Sequence, residues 1–313
     1  VTVTELSSWT PPPASCVRRA WLTLGSKSIE LDNPSGGWFC TSLDLGAPSV
    51  RDVLYNAPDQ DGQIDLTNYL GGRVVTASIT ALVGAGAQID AVAAAFAPFM
   101  VPSARPVLHF ILDRPGAAER VLTVRGASGG YSWPIIGANQ RDIALQWVAA
   151  DPIVRDPAWH TIMAWSGAVA SGGRTYPLTF NRVYPGGGGA VVNANLQSPG
   201  DVAVVPLLQV YGPISGPRVN FTDQVSGEAW TLNFVSAFRI DQGHRVDIDC
   251  AARTAYLDGD ITQSVLGSLD WASVRAGWPV LPPLPNWQVL HLAGSSTSNV
   301  TQCVASWQDG YLS

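Results

Sequence analysis

The most suggestive catalytic string in the chain is Gly126-Ala-Ser-Gly-Gly130, which satisfies the letter of G-x-S-x-G. A nucleophile elbow built on that string needs a strand before the serine and a helix after it, so that the hydroxyl is thrust out at a sharp turn. A strand precedes it here, but Tyr131-Ser-Trp-Pro134 follows and reads as extended. The expectation is therefore a hairpin tip, and an esterase working through Ser128 is the weakest of the readings weighed. Asp59-Gln-Asp61-Gly-Gln-Ile-Asp65 imitates the opening of a calcium loop. It lacks the later ligands and the closing Glu, so a tight turn into a strand is expected. Asp247 and Asp249 lie two apart on a strand and share one face, which reads as solvated. His109, His160, His244 and His291 are isolated, with neither the i, i+4 nor the HxH spacing of a metal pair. No phosphate-binding glycine loop stands in a strand-to-helix setting. No enzyme, no metal and no cofactor is expected.

Aromatic residues are the remaining chemical resource. Of twelve tryptophans, Trp147 and Trp230 fall in alternating segments and read as core. Trp271, Trp278 and Trp287 cluster among prolines near the end of the chain. They are the candidate contacts for a glycan or a protein partner, because an exposed aromatic ring offers an apolar face beside a polar edge. Core or edge packing is the plainer alternative for them.

The elements that would carry these residues are short strands. Val75, Ala77, Ile79, Ala81 and Val83 alternate with Thr76, Ser78 and Thr80; Ile143, Leu145 and Trp147 fall on one side of Asp142 to Val148. Such period-2 patterning between turn residues marks half-buried strands. Further strands are expected over 106–112, 120–125, 206–211, 230–234, 244–250, 287–292 and 301–307. A hairpin turn is expected at Asp258-Gly259, between Tyr256-Leu257 and Ile261. One helix is expected near 88–100, where Ile89, Val92, Phe96 and Phe99 recur at helical spacing and should pack one face on a sheet. Gln88, Asp90 and Pro98 interrupt that apolar stretch, so it is not read as a membrane span.

The expected fold class is mainly β. Residues 1–157 form an N-terminal β-sandwich or barrel with the one helix. Residues 158–313 form an antiparallel β-sandwich that includes a Gly-rich connecting segment at 166–190.

Composition narrows the partners. Charged residues are 13% of the 313, against roughly 25% in an ordinary soluble domain. Part of the surface is therefore expected to be covered by other chains. The net charge of −6 divides evenly between residues 1–158 (11 basic, 14 acidic, hence −3) and 159–313 (7 basic, 10 acidic, hence −3). Without a basic stripe, sequence-specific nucleic-acid binding is not expected. Cys16, Cys40, Cys250 and Cys303 are widely spaced and read as free, mostly buried thiols. Val1 to Pro13 carries Glu5 and a proline run, so no signal peptide is expected there.

Several short stretches, in order along the chain, resemble the siphovirus distal tail proteins, found as minor tail proteins in phages of actinobacteria. In the first half they are Ser42-Leu-Asp-Leu45, Ser49-Val-Arg-Asp52, Asp61-Gly62 and Gly71-Gly-Arg-Val-Val75; then Leu145-Gln-Trp147 leads to Asp151-Pro152. In the second half, Arg174-Thr-Tyr-Pro-Leu-Thr-Phe180 and Tyr184-Pro185 precede Gly200-Asp201 and Pro206-Leu-Leu-Gln-Val-Tyr-Gly-Pro213. Pro282-Pro-Leu-Pro-Asn286 departs from the Pro-Gly-Asn turn often found in relatives.

The resemblance implies a galectin-like or carbohydrate-module-like second domain. It also implies a ring, usually a hexamer, at the distal end of the phage tail, assembled in the host cytoplasm. The tail tube protein, the tail-tip hub (tail-associated) protein and the tape measure protein would be its partners. A carbohydrate-binding module that touches the host envelope is the alternative function.

Overall fold

The computed structural model describes residues 17–312, apart from 52–53, 57–62, 66–68, 83–85, 133, 138–139, 167–192, 272–276 and 299. The chain divides into two compact units, one made of Val1–Pro157 with Leu312–Ser313 and the other of Ala158–Tyr311. The described part is mainly β, with several antiparallel sheets and one α-helix.

The strands of the first unit are β1 (Val17–Leu24), β2 (Lys27–Glu30), β3 (Trp38–Asp44), β4 (Val50–Arg51), β5 (Leu54–Asn56), β6 (Gln63–Asp65), β7 (Tyr69–Leu70) and β8 (Arg73–Leu82). Helix α1 (Gly86–Met100) follows. After it come β9 (Val107–Leu112), β10 (Glu119–Thr123), β11 (Arg125–Ser132), β12 (Ile135–Gly137), β13 (Gln140–Ala149) and β14 (Val154–Arg155). One sheet runs β2-β1-β9-β10-β14 and a second β11-β13-β8-β3, with β12 beside β13; β4 pairs with β7 and β5 with β6.

Alternation in the sequence becomes burial here. Val75, Ala77, Ile79 and Ala81 of β8 are buried, as are Ile143, Leu145 and Trp147 of the neighbouring β13. Leu22, Leu108, Phe110 and Leu122 are among the buried members of the other sheet.

Helix α1 begins two residues before the expected start and turns Val92, Phe96 and Phe99 inward. The Ile89 side chain lies outside the described residues. The helix is held to the second sheet by polar ties as well as apolar contact. Trp147 Nε1 donates to the Phe99 carbonyl at 3.3 Å, Tyr131 OH donates to the Ala93 carbonyl, and Arg141 pairs with Asp90 at 3.0 Å. Trp38 meets Phe96 edge to face at 6.1 Å. A Cβ on Gly126 would come within 2.0 Å of the Met100 carbonyl oxygen, so only glycine lets β11 pass the end of the helix.

The second unit is an antiparallel β-sandwich. Its strands are β15 (His160–Trp165), β16 (Ala194–Leu196), β17 (Leu207–Tyr211), β18 (Ile214–Asp223), β19 (Ala229–Asn233), β20 (Arg239–Ile240), β21 (Arg245–Asp249), β22 (Thr254–Leu257), β23 (Gln288–Ser295) and β24 (Gln302–Trp307). One five-stranded sheet runs β15-β24-β17-β21-β22; the other runs β16-β23-β18-β19 with β20 on β18. Leu208, Val210, Val246 and Ile248 from the first interlock with Val219, Phe221, Leu290 and Leu292 from the second in a single core. Only a 3₁₀ turn, Leu266–Ser268, interrupts the β structure among the described residues of this unit. The Gly-rich segment expected at 166–190 lies outside the described residues except for Ser166.

One local expectation fails and a second holds in part. Ser128 is not at a hairpin tip: it lies within β11, whose pairing with β13 shifts register between Gly126 and Tyr131. The register shift makes a bulge, not a turn, and Gly126 at its start lets the strand clear α1. At Asp258-Gly259 both residues take positive φ (51° and 72°). The chain then returns antiparallel onto β22 through a bridge between Tyr256 and Ser264, without lengthening into a strand. Leu257 N donates to the Gln263 carbonyl and Val265 N to the Ala255 carbonyl. Asp260 accepts from the Thr262 backbone and hydroxyl and from Gln263, which closes the segment on itself and leaves Ile261 78% exposed. The strand partner of β22 in the sheet is β21. It is reached through a turn in which Asp249 Oδ1 accepts from the backbone N–H groups of Ala251 and Ala252 at 2.9 Å.

Candidate functional site

The residues singled out from the sequence disperse in the structure. Trp271 and Trp278 do meet, ring edge toward ring face, with centroids 6.4 Å apart. Trp271 is 53% exposed, whereas Trp278 is partly buried and packs on the sandwich core. Trp287 is half-buried where β23 begins, and its carbonyl accepts from Gln224 N at 3.0 Å. Among the described residues no ring contact joins it to the other two. The calcium-like segment from Asp59 to Gly62 lies outside the described residues.

Each described histidine whose ring contacts are resolved has a local partner. His109 Nδ1 lies 2.7 Å from Glu119 Oε1, its Nε2 bonds Thr23, and it stacks on Trp21. His244 pairs with Asp258 at 2.6 Å, and this hydrogen bond raises the His244 pKa and lowers that of Asp258. His160 Nε2 lies 2.9 Å from a buried Asp309, which also accepts from Ser198 Oγ at 3.0 Å and from Trp307 Nε1 at 3.3 Å. Ser, His and Asp do meet there, but the serine donates to the carboxylate and not to the imidazole, so no base activates it. That cluster pins the end of β24 to neighbouring loops.

The three described thiols are poor nucleophiles. Burial pushes Cys40 up to about 11 and Cys303 up to about 12, and it raises Cys250 as well. No group of three or more His, Cys, Asp or Glu side chains converges on a metal position among the described residues.

Two outward sheet faces remain. In the first unit the face made by β3, β8 and β13 carries Val74, Thr76 and Ser78, and across the register Ala144, Gln146 and Val148. Ser42 and Asp44 border it on β3. It is a pleated surface of small and hydroxyl-bearing side chains with little charge.

In the second unit the outward face of β15-β24-β17-β21-β22 holds a groove of about 440 Å³. Trp159 and Tyr256 line it, with Gln209, Asp247 and Asp249 between them in the strand order. Hydrogen bonds fix these side chains: Gln209 Nε2 donates to Asp247 Oδ1 at 2.6 Å, and Tyr211 OH donates to Gln209 Oε1 at 3.1 Å. Arg245 Nε reaches both Asp247 oxygens at 3.0 Å. Sequence reading missed this groove because its residues come from four strands and a loop end. The alternation of Asp247 and Asp249 was visible, but their neighbours were not.

No protein-family model and no curated protein sequence matches the chain. Solved structures do. The SPP1 Dit protein, described as a hub adsorption apparatus in phages infecting Gram-positive bacteria, is similar over 93% of this chain and 98% of its own, with a TM-score of 0.58 at 10% identity. The chain has the phage distal tail protein fold.

Chains of the phage p2 baseplate in its activated conformation, with Sr or with Ca, align over 92% of this chain and 97% of theirs. Their TM-scores are 0.44 and 0.41, at 9% and 10% identity, and they add nothing to the argument. The likeness of fold to the SPP1 Dit protein spans both units of the chain. No helix among the described residues is long and apolar enough to cross a membrane.

Proposed function

We propose that the protein is a structural component of a phage tail tip: a hub whose copies close into a ring, six in the form the sequence resemblance implies. Likeness of fold to the SPP1 Dit protein along almost the whole of both chains is the observation that carries this reading. Tail tube protein on one side and tail-tip hub protein on the other would be its neighbours, with the tape measure protein and DNA passing through the ring. The place of action is the distal end of the virion tail, after assembly in the host cytoplasm. The function needs no catalytic residue, and none is invoked.

The low charge supports the same reading. A ring is built from a heterologous contact that closes by rotation, so each copy must cover part of the next. The face of Val74, Thr76, Ser78, Ala144 and Val148 suits such cover, because burying small and hydroxyl-bearing side chains strands no ion.

Negative-stain images of the full-length protein, alone and mixed with its tail tube and hub neighbours, test the proposal. Closed rings are expected in at least one of these samples. A chain that stays monomeric with every neighbour and is missing from purified virions would overturn it.

A further inference from the structure

We propose that the groove on the outward sheet face of the second unit binds a neutral saccharide chain, with Trp159 and Tyr256 as stacking surfaces and Gln209, Asp247, Asp249 and Thr254 as hydroxyl partners. This goes beyond the tail-hub reading and does not depend on it. It also relocates the carbohydrate contact from the tryptophans near the C-terminus, where Trp278 is committed to the core.

The shape is the first reason. The groove crosses strands and does not follow a sheet edge: its lining comes from β24, β17, β21 and β22 in turn, with Trp159 just before β15. At roughly 4.8 Å between neighbouring strands, four strands span about 14 Å, room for a short oligosaccharide. A peptide strand would instead add to an edge, where unpaired backbone groups wait. The register aligns Gln209, Asp247 and Tyr256 in one row across three strands, and Leu207, Asp249 and Thr254 in the next. Two parallel rows of side chains, two residues (about 7 Å) apart along the strands, form a track for a linear ligand.

The chemistry is the second reason. Among the described lining residues there is no Lys, Arg or His, and two are carboxylates. Such a surface repels phosphate and other anions and rewards a ligand that donates hydrogen bonds. A pyranoside donates through adjacent hydroxyls and presents an apolar C–H face to aromatic rings. Here the acceptors come with rings: Trp159 is 55% exposed although large and apolar, and Tyr256 stands half-exposed on β22. A bare cation is a worse match, since Asp247 is already neutralised by Arg245 and no third ligand converges.

Preorganisation is the third. The chain of bonds Tyr211–Gln209–Asp247–Arg245 holds the amide and carboxylate in place before any ligand arrives, so little side-chain entropy is lost on binding. Asp249 Oδ1 is fixed by two backbone N–H groups, and a carboxylate retains further lone pairs for a ligand.

The test is a glycan array probed with the full-length chain, carrying neutral hexose and pentose oligosaccharides beside phosphate-bearing ones. Hits are then titrated by tryptophan fluorescence. Retention of at least one neutral oligosaccharide is expected, with affinity falling tenfold or more in Trp159→Ala and in Tyr256→Ala and unchanged in Trp271→Ala. Thermal melts of the variants separate lost binding from lost fold, and two independent variants guard against either one failing to fold. The proposal is overturned if no neutral glycan is retained, if only phosphate-bearing glycans are retained, or if Trp271→Ala alone abolishes binding. It is equally overturned if the isolated chain binds and the assembled ring does not, since the face would then be an interface between copies. Ring formation is scored separately by imaging, so the two proposals fail independently.

Discussion

The outward sheet faces of the two units obey the same strand alternation and end with opposite surfaces. On β8 and β13 the residues turned away from the core are Val74, Thr76, Ser78, Ala144 and Val148, short side chains that leave a shallow pleat. On β17, β21 and β22 they are Gln209, Asp247, Asp249 and Tyr256, long or charged side chains beside a groove, with Gln209 and Asp247 hydrogen-bonded to each other. Period-2 geometry decides only which residues leave the core. What the surface can do depends on what those residues are: the shallow face can be buried by another chain at small desolvation cost, whereas the acidic, aromatic face would lose hydration that only hydrogen-bonding ligands replace.

The first and largest way to break the comparison is to remove what stands behind the shallow face. Trp147 is fully buried under it and ties α1 through Phe99. Trp147→Ala is expected to cost about 3–5 kcal/mol by loss of packing and a cavity, read as a shift of the denaturant midpoint. A loss under about 1 kcal/mol would mean that this face does not rest on a specific aromatic core. Next, Gly126→Ala forces a Cβ against the Met100 carbonyl. A destabilisation of about 1–3 kcal/mol is expected from overpacking, and a neutral result would show that α1 and β11 do not meet so closely.

A charge swap sharpens the contrast directly. Ser78→Arg, at the centre of the shallow face, should abolish rings while leaving the stability of the single chain within about 0.5 kcal/mol, as for ordinary surface changes. Thr161→Arg, outward on β15 in the second unit, should leave rings intact. Loss of rings in both, or in neither, would erase the assigned difference between the faces.

The smallest effect concerns the exposed His244–Asp258 pair. The histidine pKa is raised, so its share of the pair is fully present below the ordinary imidazole value and lost as pH rises through the raised one. The Asp258 pKa is lowered, so its share is present above the ordinary carboxylate value and lost as pH falls through the lowered one. Asp258→Asn should return the His244 titration, followed by NMR, toward about 6.5. An unmoved midpoint would remove the pair from the account.

Legibility followed locality. Strands β8, β9, β13, β17, β19, β21, β23 and β24 announced themselves because alternation is carried by consecutive residues, and α1 did so through Val92, Phe96 and Phe99. No strand was expected over β18, which sits between β23 and β19 with a register shift after Ser215. β1 and β15 were missed as well, since Arg18-Arg19 and His160-Thr161 blur the alternation. At Asp258-Gly259 the turn was legible and the chain does return onto β22 at Ser264, but through a wider loop than two residues, because Asp260 first binds Thr262 and Gln263.

Taken alone, the sequence determined the β class, the single helix, the side of each alternating strand that enters a core and the shortage of charge. All of these follow from neighbours along the chain. Which strands lie side by side was decided by tertiary structure, and with it the meeting of Trp159, Gln209, Asp247 and Tyr256 on one face. The physical reason is that register between distant strands is fixed by the packing of the whole core, so no window of consecutive residues contains it.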